Sequence, residues 1–448
     1  MKKFIKFLIF LFCLCTFSFA DDNTENKTND FFDISSKAGI LINADTNEIL
    51  YSKNEHQKLF NASTTKIVTA LVAIDKLNLN DQITAPADFQ NPDVRGTNIA
   101  IDQNETLTFE QLLNAMLIAS ANDAAHLIAI HISGNEENFA KLMNEKVKDL
   151  GLENTHFENS HGLHNENHYS TCYDLSIIAN QFIKKNILKE ICTKQSYTIP
   201  PTNKKKQERN YIFNTNLFVQ NSGAKMNYNG NSIPIYDSNV KGIKTGFTNE
   251  AGYCLISYIE LNGKRMISVI LGADNKENLY IDSKKLLYYG INEFKTQKII
   301  AKDEIVTEIE VSSLKNSKLP LISANRIVKT MKNDFNKELI SKEISIDENS
   351  INDDIKINQK LGTVKFFYDG EFIGSTDLLS SISINKQNLI GKIKYSINNN
   401  IVIKIIYIIS KVFIAFIIWF IVLSILNKNK KNKNVKFIKN VRNKKDKK

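Results

Sequence analysis

Ser63 and Lys66 stand three residues apart at the start of a long apolar run, Ile67 to Leu77. In a helix, residues i and i+3 share a face, so the Lys66 amine can reach the Ser63 hydroxyl. A helix N-terminus and low dielectric favour the neutral amine, the form able to take the serine proton and activate the nucleophile. Ser120-Ala-Asn122 puts a second hydroxyl and an amide in a short connection between two apolar helical segments. There they can face a cleft and relay a proton. Lys244-Thr-Gly246 lies in a strand-like run. It offers a charge for a carboxylate, a hydroxyl, and a glycine that lets substrate approach the backbone.

Taken singly these signals are weak. Ser63 alone reads as a helix cap. The S-x-x-K spacing recurs at Ser222–Lys225, Ser238–Lys241, Ser312–Lys315 and Ser383–Lys386, and S-x-N recurs at Ser133, Ser323 and Ser350. None of those other S-x-x-K pairs precedes a long apolar helix, and Lys244-Thr-Gly246 occurs once. The three motifs follow in order, 57 and 124 residues apart. In that order the set resembles the penicillin-binding and class A β-lactamase serine acylases. The flanks Ser120-Ala-Asn-Asp-Ala-Ala, Ser160-His-Gly-Leu163, His168-Tyr-Ser-Thr171 and Tyr173-Asp174 narrow the resemblance to low-molecular-mass penicillin-binding proteins, the D-alanyl-D-alanine carboxypeptidases. It covers roughly residues 34–390.

The resemblance implies roles. Ser63 attacks the carbonyl between two terminal D-alanines of a peptidoglycan stem peptide and becomes an acyl ester, and Lys66 takes its proton. Ser120 relays a proton to the leaving D-alanine, while Asn122 orients Lys66 and the substrate. Lys244 and Thr245 receive the terminal carboxylate, Gly246 admits the substrate backbone, and the N–H groups of Ser63 and Phe247 form the oxyanion hole. β-Lactams would act as covalent inhibitors. No cofactor is called for, and no Cys/His cluster has zinc-ligand spacing. His161 is read as structural in its loop. One departure stands out: Asn278-Leu279-Tyr280 occupies the stretch where this family often carries an arginine, and Lys276 is the available substitute, as a point charge without bidentate geometry. The alternatives are a D,D-endopeptidase or transpeptidase on the same scaffold, or a non-catalytic β-lactam sensor or wall-binding receptor. A class A β-lactamase is disfavoured, because no E-x-x-x-N pattern lies between the second and third motifs.

The elements that must position these groups are legible in outline. Ala38 to Asn43 and Glu48 to Ser52 read as a hairpin, and Thr64 to Leu77 as a helix buried on all sides. Thr108-Phe-Glu-Gln111 is a capping box opening a helix through Ile118, and Asp123 to His131 starts another. Val240 to Phe247 is a strand. Tyr253 to Leu261 and Arg265 to Leu271 are strands joined by the turn Asn262-Gly263, and Ser283 to Phe294 is a closing helix. Strands at both ends with helices between predict an α/β (α+β) domain with an antiparallel sheet over residues 34–297. Beyond it, short alternating β-branched segments and the turn Asp369-Gly370 predict a small β-rich domain over 298–398.

The ends carry topology signals. Residues 1–20 read as a signal peptide: Lys2, Lys3 and Lys6, an apolar core, then Ser18-Phe19-Ala20 with cleavage after Ala20. Residues 21–33 read as a disordered leader. Residues 405–426 are long and apolar enough for a membrane span, interrupted by Lys411, and 427–448 form a basic cytoplasmic tail with eleven Lys/Arg and one acid. The net charge of +10 therefore sits at the two ends and the exported body is mildly acidic, which argues against nucleic-acid binding. A cell-membrane location follows, single-pass, with the catalytic domain outside. Cys172, Cys192 and Cys254 remain after processing, and this odd number is read as buried free thiols.

Overall fold

The computed structural model describes residues 33–93, 96–311, 318–351, 354–384, 405 and 407–424. The expected signal peptide, nearly all of the leader, and the basic tail lie outside them. The chain divides after Phe294 into two compact units.

The first unit is built on a five-stranded antiparallel sheet. Its strands are β1 (Ala38–Asn43), β2 (Ile49–Lys53), β3 (Val240–Thr248), β4 (Gly252–Leu261) and β5 (Lys264–Ala273), in the spatial order β2-β1-β5-β4-β3. Both faces are covered, so apolar residues occupy alternate positions on each side. On β5, Ile267, Val269 and Leu271 join one core cluster, whereas Met266 and Ile270 join the other. Asn262 and Gly263 both take positive φ (55° and 73°), the requirement of the tight turn that pairs β4 with β5.

Among the described residues, seven α-helices accompany this sheet: α1 (Lys66–Ile74), α2 (Phe109–Ile118), α3 (Asn122–Ser133), α4 (Glu136–Asp149), α5 (Cys172–Ile183), α6 (Asn186–Thr193) and α7 (Lys276–Glu293). Every residue of α1 from Lys66 to Ala73 is buried, and the helix packs among α3, α4, α5 and α2. The capping box holds in both directions: Gln111 N–H donates to Thr108 Oγ1 and Thr108 N–H to Gln111 Oε1. Two helix boundaries differ from expectation. The apolar helix is preceded by a 3₁₀ turn, Ala62–Thr65, and stops at Ile74, where the Lys76 and Leu77 N–H groups fold back onto the Ala73 carbonyl. The closing helix starts seven residues earlier, at Lys276, because the Asn275 side chain caps it by accepting from Asn278 N–H. All three thiols are buried and unpaired, and burial pushes Cys192 and Cys254 up to about 12.

The second unit holds another antiparallel sheet, of β6 (Ile305–Glu310), β7 (Lys318–Ser323), β8 (Ile340–Ile346), β9 (Lys360–Tyr368) and β10 (Glu371–Ser380), ordered β6-β7-β10-β9-β8. Leu319, Leu321, Leu361, Val364 and Leu378 form its core. Asp369 and Gly370 take positive φ in the β9–β10 turn. In the C-terminal region, Tyr407–Ser424 is an exposed apolar helix of 18 residues, about 27 Å at 1.5 Å per residue, long enough to cross a bilayer core when snorkelling ends are allowed.

Candidate active site

Ser63 lies in the 3₁₀ turn, not at a helix cap. Three residues per turn place Ser63 directly over Lys66, and Lys66 Nζ is 2.9 Å from Ser63 Oγ. The turn is braced from inside. Asn61 Nδ2 donates to Thr64 and Thr65 Oγ1, while Thr65 Oγ1 donates to the Ala62 carbonyl and meets His168 Nε2 at 2.7 Å. Since His168 Nδ1 accepts from Glu158 N–H, its Nε2 carries the proton and donates to Thr65.

Lys66 is fully buried, and two further acceptors reach its nitrogen: Asn122 Oδ1 at 2.7 Å and the His161 carbonyl at 2.5 Å. Burial, then the positive charge of Lys244, hold its pKa well below the ordinary lysine value, against opposing pulls from Glu136, Asp123 and Asp93. A neutral amine has two N–H donors and one lone pair. Asn122 Oδ1 and the His161 oxygen can only accept, so they take both donors. The lone pair is left for Ser63, the arrangement a general base requires.

The other two motifs come together beside this pair. Ser120 is the middle residue of the short α2–α3 connection and lies in the left-handed region (φ 64°), which is uncommon for a non-glycine residue and aims its hydroxyl out of the helix path. Lys244 Nζ donates to Ser120 Oγ at 2.9 Å and to its neighbour's carbonyl, Thr245 O, at 2.8 Å. Burial pushes Lys244 down to about 7. Asn122, the first residue of α3, is held through its own N–H on the Thr97 carbonyl. Gly246 keeps a tight space clear: a Cβ there would lie 3.0 Å from Ser63 N and 3.1 Å from Asn61 O. This close approach sets β3 against the serine turn.

These residues open onto a cavity of about 340 Å³ whose lining includes Ser63, Ser120, Thr245, Gly246 and the exposed Phe247. Every residue given a catalytic or substrate-binding role in the sequence thus falls at or immediately behind one cleft. Lys66, Asn122 and Lys244 form the buried layer behind the hydroxyls. Among the described residues the lining holds Lys276 and no arginine. Three contributors were not foreseen. Thr215 lines the cavity and meets Thr245 Oγ1 at 2.6 Å. Thr97 lines it from the connection between α1 and α2. His161 enters through its carbonyl, while its ring faces away, accepting from Leu163 N–H at Nδ1 and lying 3.9 Å from Glu136 at Nε2. Thr97 and Thr215 carry no local motif, and the Ser160-His-Gly-Leu163 segment pointed to the His161 ring as structural without showing the role of its carbonyl. Gly162 makes the last contact possible: its φ is +83°, and a Cβ would sit 2.0 Å from the Ala62 carbonyl.

Comparison with known proteins agrees with this geometry. The family profile described as D-alanyl-D-alanine carboxypeptidase matches residues 22–275, and that of the penicillin-binding protein 5 C-terminal domain matches residues 294–386. The chain is 30% identical over 401 residues to D-alanyl-D-alanine carboxypeptidase DacF of Bacillus subtilis, covering 88% of this chain and 97% of that protein. It is 28% identical over 371 residues to D-alanyl-D-alanine carboxypeptidase DacA of Haemophilus influenzae, covering 80% and 88%. Among solved structures, penicillin binding protein 5 from Haemophilus influenzae superposes with a TM-score of 0.64 at 25% identity, covering 79% of this chain and 98% of that one.

Proposed function

The chain belongs to the D-alanyl-D-alanine carboxypeptidase family, and from that premise we propose that Ser63 is the nucleophile with which it removes the terminal D-alanine from peptidoglycan pentapeptide stems. The observation that carries the assignment is the contact set of Lys66: buried, shifted toward neutrality, and bound by two acceptors that leave its lone pair to Ser63.

The steps follow from the geometry. Lys66 accepts the Ser63 proton as Oγ bonds to the carbonyl carbon between the two D-alanines. The Lys66 ammonium then has three donors for three acceptors already in reach. The N–H groups of Ser63 and Phe247 stabilise the tetrahedral oxyanion, about 3–4 kcal/mol for each donor. Ser120 Oγ accepts from Lys244 and so turns its own O–H toward the departing nitrogen. It delivers a proton there as the C–N bond breaks and takes one back from its donor Lys244, and the proton that Lys66 gained from Ser63 makes good that loss, so no alkoxide remains. The acyl ester on Ser63 is released by water. The substrate carboxylate is received by Thr245, with Thr215 beside it, within the field of Lys244 and with Lys276 in the place of the arginine often found in this family.

β-Lactams would acylate Ser63 by the same attack. The apolar helix Tyr407–Ser424 supports a single-pass membrane anchor, while the placement of the catalytic unit outside rests on the N-terminal sequence, read as a signal peptide removed after Ala20. The test is incubation of the full chain in detergent with a pentapeptide stem. Release of free D-alanine is the expected result. Acylation by penicillin with no D-alanine release would support the non-catalytic sensor instead, and release only from cross-linked dimers the endopeptidase.

A further inference from the structure

We propose that Asp93 is a positioning residue for this reaction, one that locks the side-chain amide of Asn122 with its oxygen toward Lys66. The inference rests on the reading of Lys66 as the general base.

Asn122 Nδ2 donates to Asp93 Oδ2 at 3.0 Å, on the side opposite the 2.7 Å contact between Asn122 Oδ1 and Lys66 Nζ. The two ends of an amide have opposite hydrogen-bonding character: the oxygen only accepts and the nitrogen only donates. An ionised carboxylate only accepts as well. Asp93 can therefore face only the NH₂ end, which leaves the oxygen for Lys66. Turned by 180°, the amide would set acceptor against acceptor at Asp93 and donors against Lys66. The Lys66 lone pair would then be drawn to the amide and away from Ser63. Asp93 thus determines where the base points without touching Ser63 or Lys66.

The loop that carries Asp93 is tied to the same helix end at several points. Asn122 N–H donates to the Thr97 carbonyl, and both carboxylate oxygens of Asp123 accept from the N–H groups of Ile99 or Ile101. Asn98 Nδ2 donates to the Asp93 main-chain oxygen. Asp93 itself packs over Gly96: a Cβ on Gly96 would lie 1.6 Å from Asp93 Oδ2, so the carboxylate occupies space that only a glycine leaves open.

The test is the penicillin acylation rate of the full chain in detergent, followed against pH, for wild type, Asp93→Ala, Asp93→Asn, Gly96→Ala, Asn122→Ala and the double variant Asp93→Ala/Asn122→Ala. Asp93→Ala should slow acylation about 10- to 100-fold, the size expected for losing one hydrogen bond to a charged group. In the Asn122→Ala background the same change should cost about twofold or less, because contacting residues acting in series are not additive. Asp93→Asn keeps an oxygen that can accept from Asn122 and should recover most of the rate. The charged groups acting on Lys66 are Lys244, Glu136, Asp123 and Asp93. Loss of the Asp93 charge removes one pull toward protonation, so the acid limb of the profile should move to lower pH in both Asp93 variants. Gly96→Ala displaces the carboxylate without removing it and should reproduce the slowing if Asp93→Ala does not fold. Equal losses with and without Asn122, or wild-type rates in both Asp93→Ala and Gly96→Ala, would overturn the proposal. Failure of wild type to acylate, or a Lys66→Arg variant that acylates normally, would instead remove the general-base reading beneath it.

Discussion

Lys66 Nζ lies 2.5 Å from the main-chain oxygen of His161, 95 residues further along the chain. That oxygen cannot donate, and it is delivered by a loop that only a glycine at 162 allows to come so close. The reactivity of a serine near the N-terminus is thus set by backbone geometry in the middle of the domain.

Ser63→Ala should abolish covalent labelling by a fluorescent penicillin. The side chain is half-buried and its loss leaves the braces from Asn61 and His168 intact. The melting temperature should therefore change little. Labelling that persists in a folded Ser63→Ala protein would place the nucleophile elsewhere.

Lys66→Arg keeps the charge but cannot deprotonate at working pH. Acylation should fall by about 10²–10⁴, the range for a lost general base. In wild type the neutral form prevails above the depressed Lys66 pKa, so the acylation rate should rise with pH through that value and fall below it. Stopped-flow acylation across pH checks both, and an Arg variant within a few-fold of wild type would return Lys66 to a structural cation.

Gly162→Ala should cost stability and acylation together. The added Cβ meets the Ala62 carbonyl at 2.0 Å, and φ of +83° is unfavourable for alanine. A loss of roughly 1–3 kcal/mol is expected for such backbone strain, read by denaturant titration. The same displacement moves the His161 carbonyl away from Lys66. A fully stable variant with normal acylation would mean the loop position is not critical.

Acid should destabilise the catalytic unit through two buried histidines. Burial pushes His161 down to about 4 and His168 to about 3, from an ordinary 6.5. Both folded pKa values are depressed, so below pH 6.5 the unfolded chain binds protons that the folded chain does not. Their contribution is complete above 6.5 and is lost as pH falls toward 4 and then 3, at about 1.4 kcal/mol per pH unit for each histidine. Thermal melts from pH 7 to 4 should show the slope, and His168→Asn should flatten it.

Protease added to intact protoplasts should digest the catalytic unit and spare a tag placed after residue 448. Protection of the catalytic unit would reverse the proposed topology.

What the sequence determined by itself was everything that local spacing encodes. The capping box at Thr108, the paired positive φ angles at Asn262 and Gly263, and the Ser63–Lys66 face are properties of neighbours. They needed no knowledge of the rest of the chain. Motif order supplied the fold family for the same reason that the fold positions the motifs: one sheet edge and two helix starts have to converge on one cleft. Tertiary structure decided how the Ser63–Lys66 pair differs from the other S-x-x-K pairs among the described residues. Ser222 and Lys225 are exposed, and Lys241 donates to the carbonyl of its own neighbour Ser238. Lys66 has the same spacing but is fully buried, with acceptors drawn from positions 56 and 95 residues away. Desolvation and long-range hydrogen bonds are sums over the folded neighbourhood, so spacing along the chain cannot report them. The roles inferred for Thr215, Asp93 and the His161 carbonyl came into view only when distant segments were set side by side.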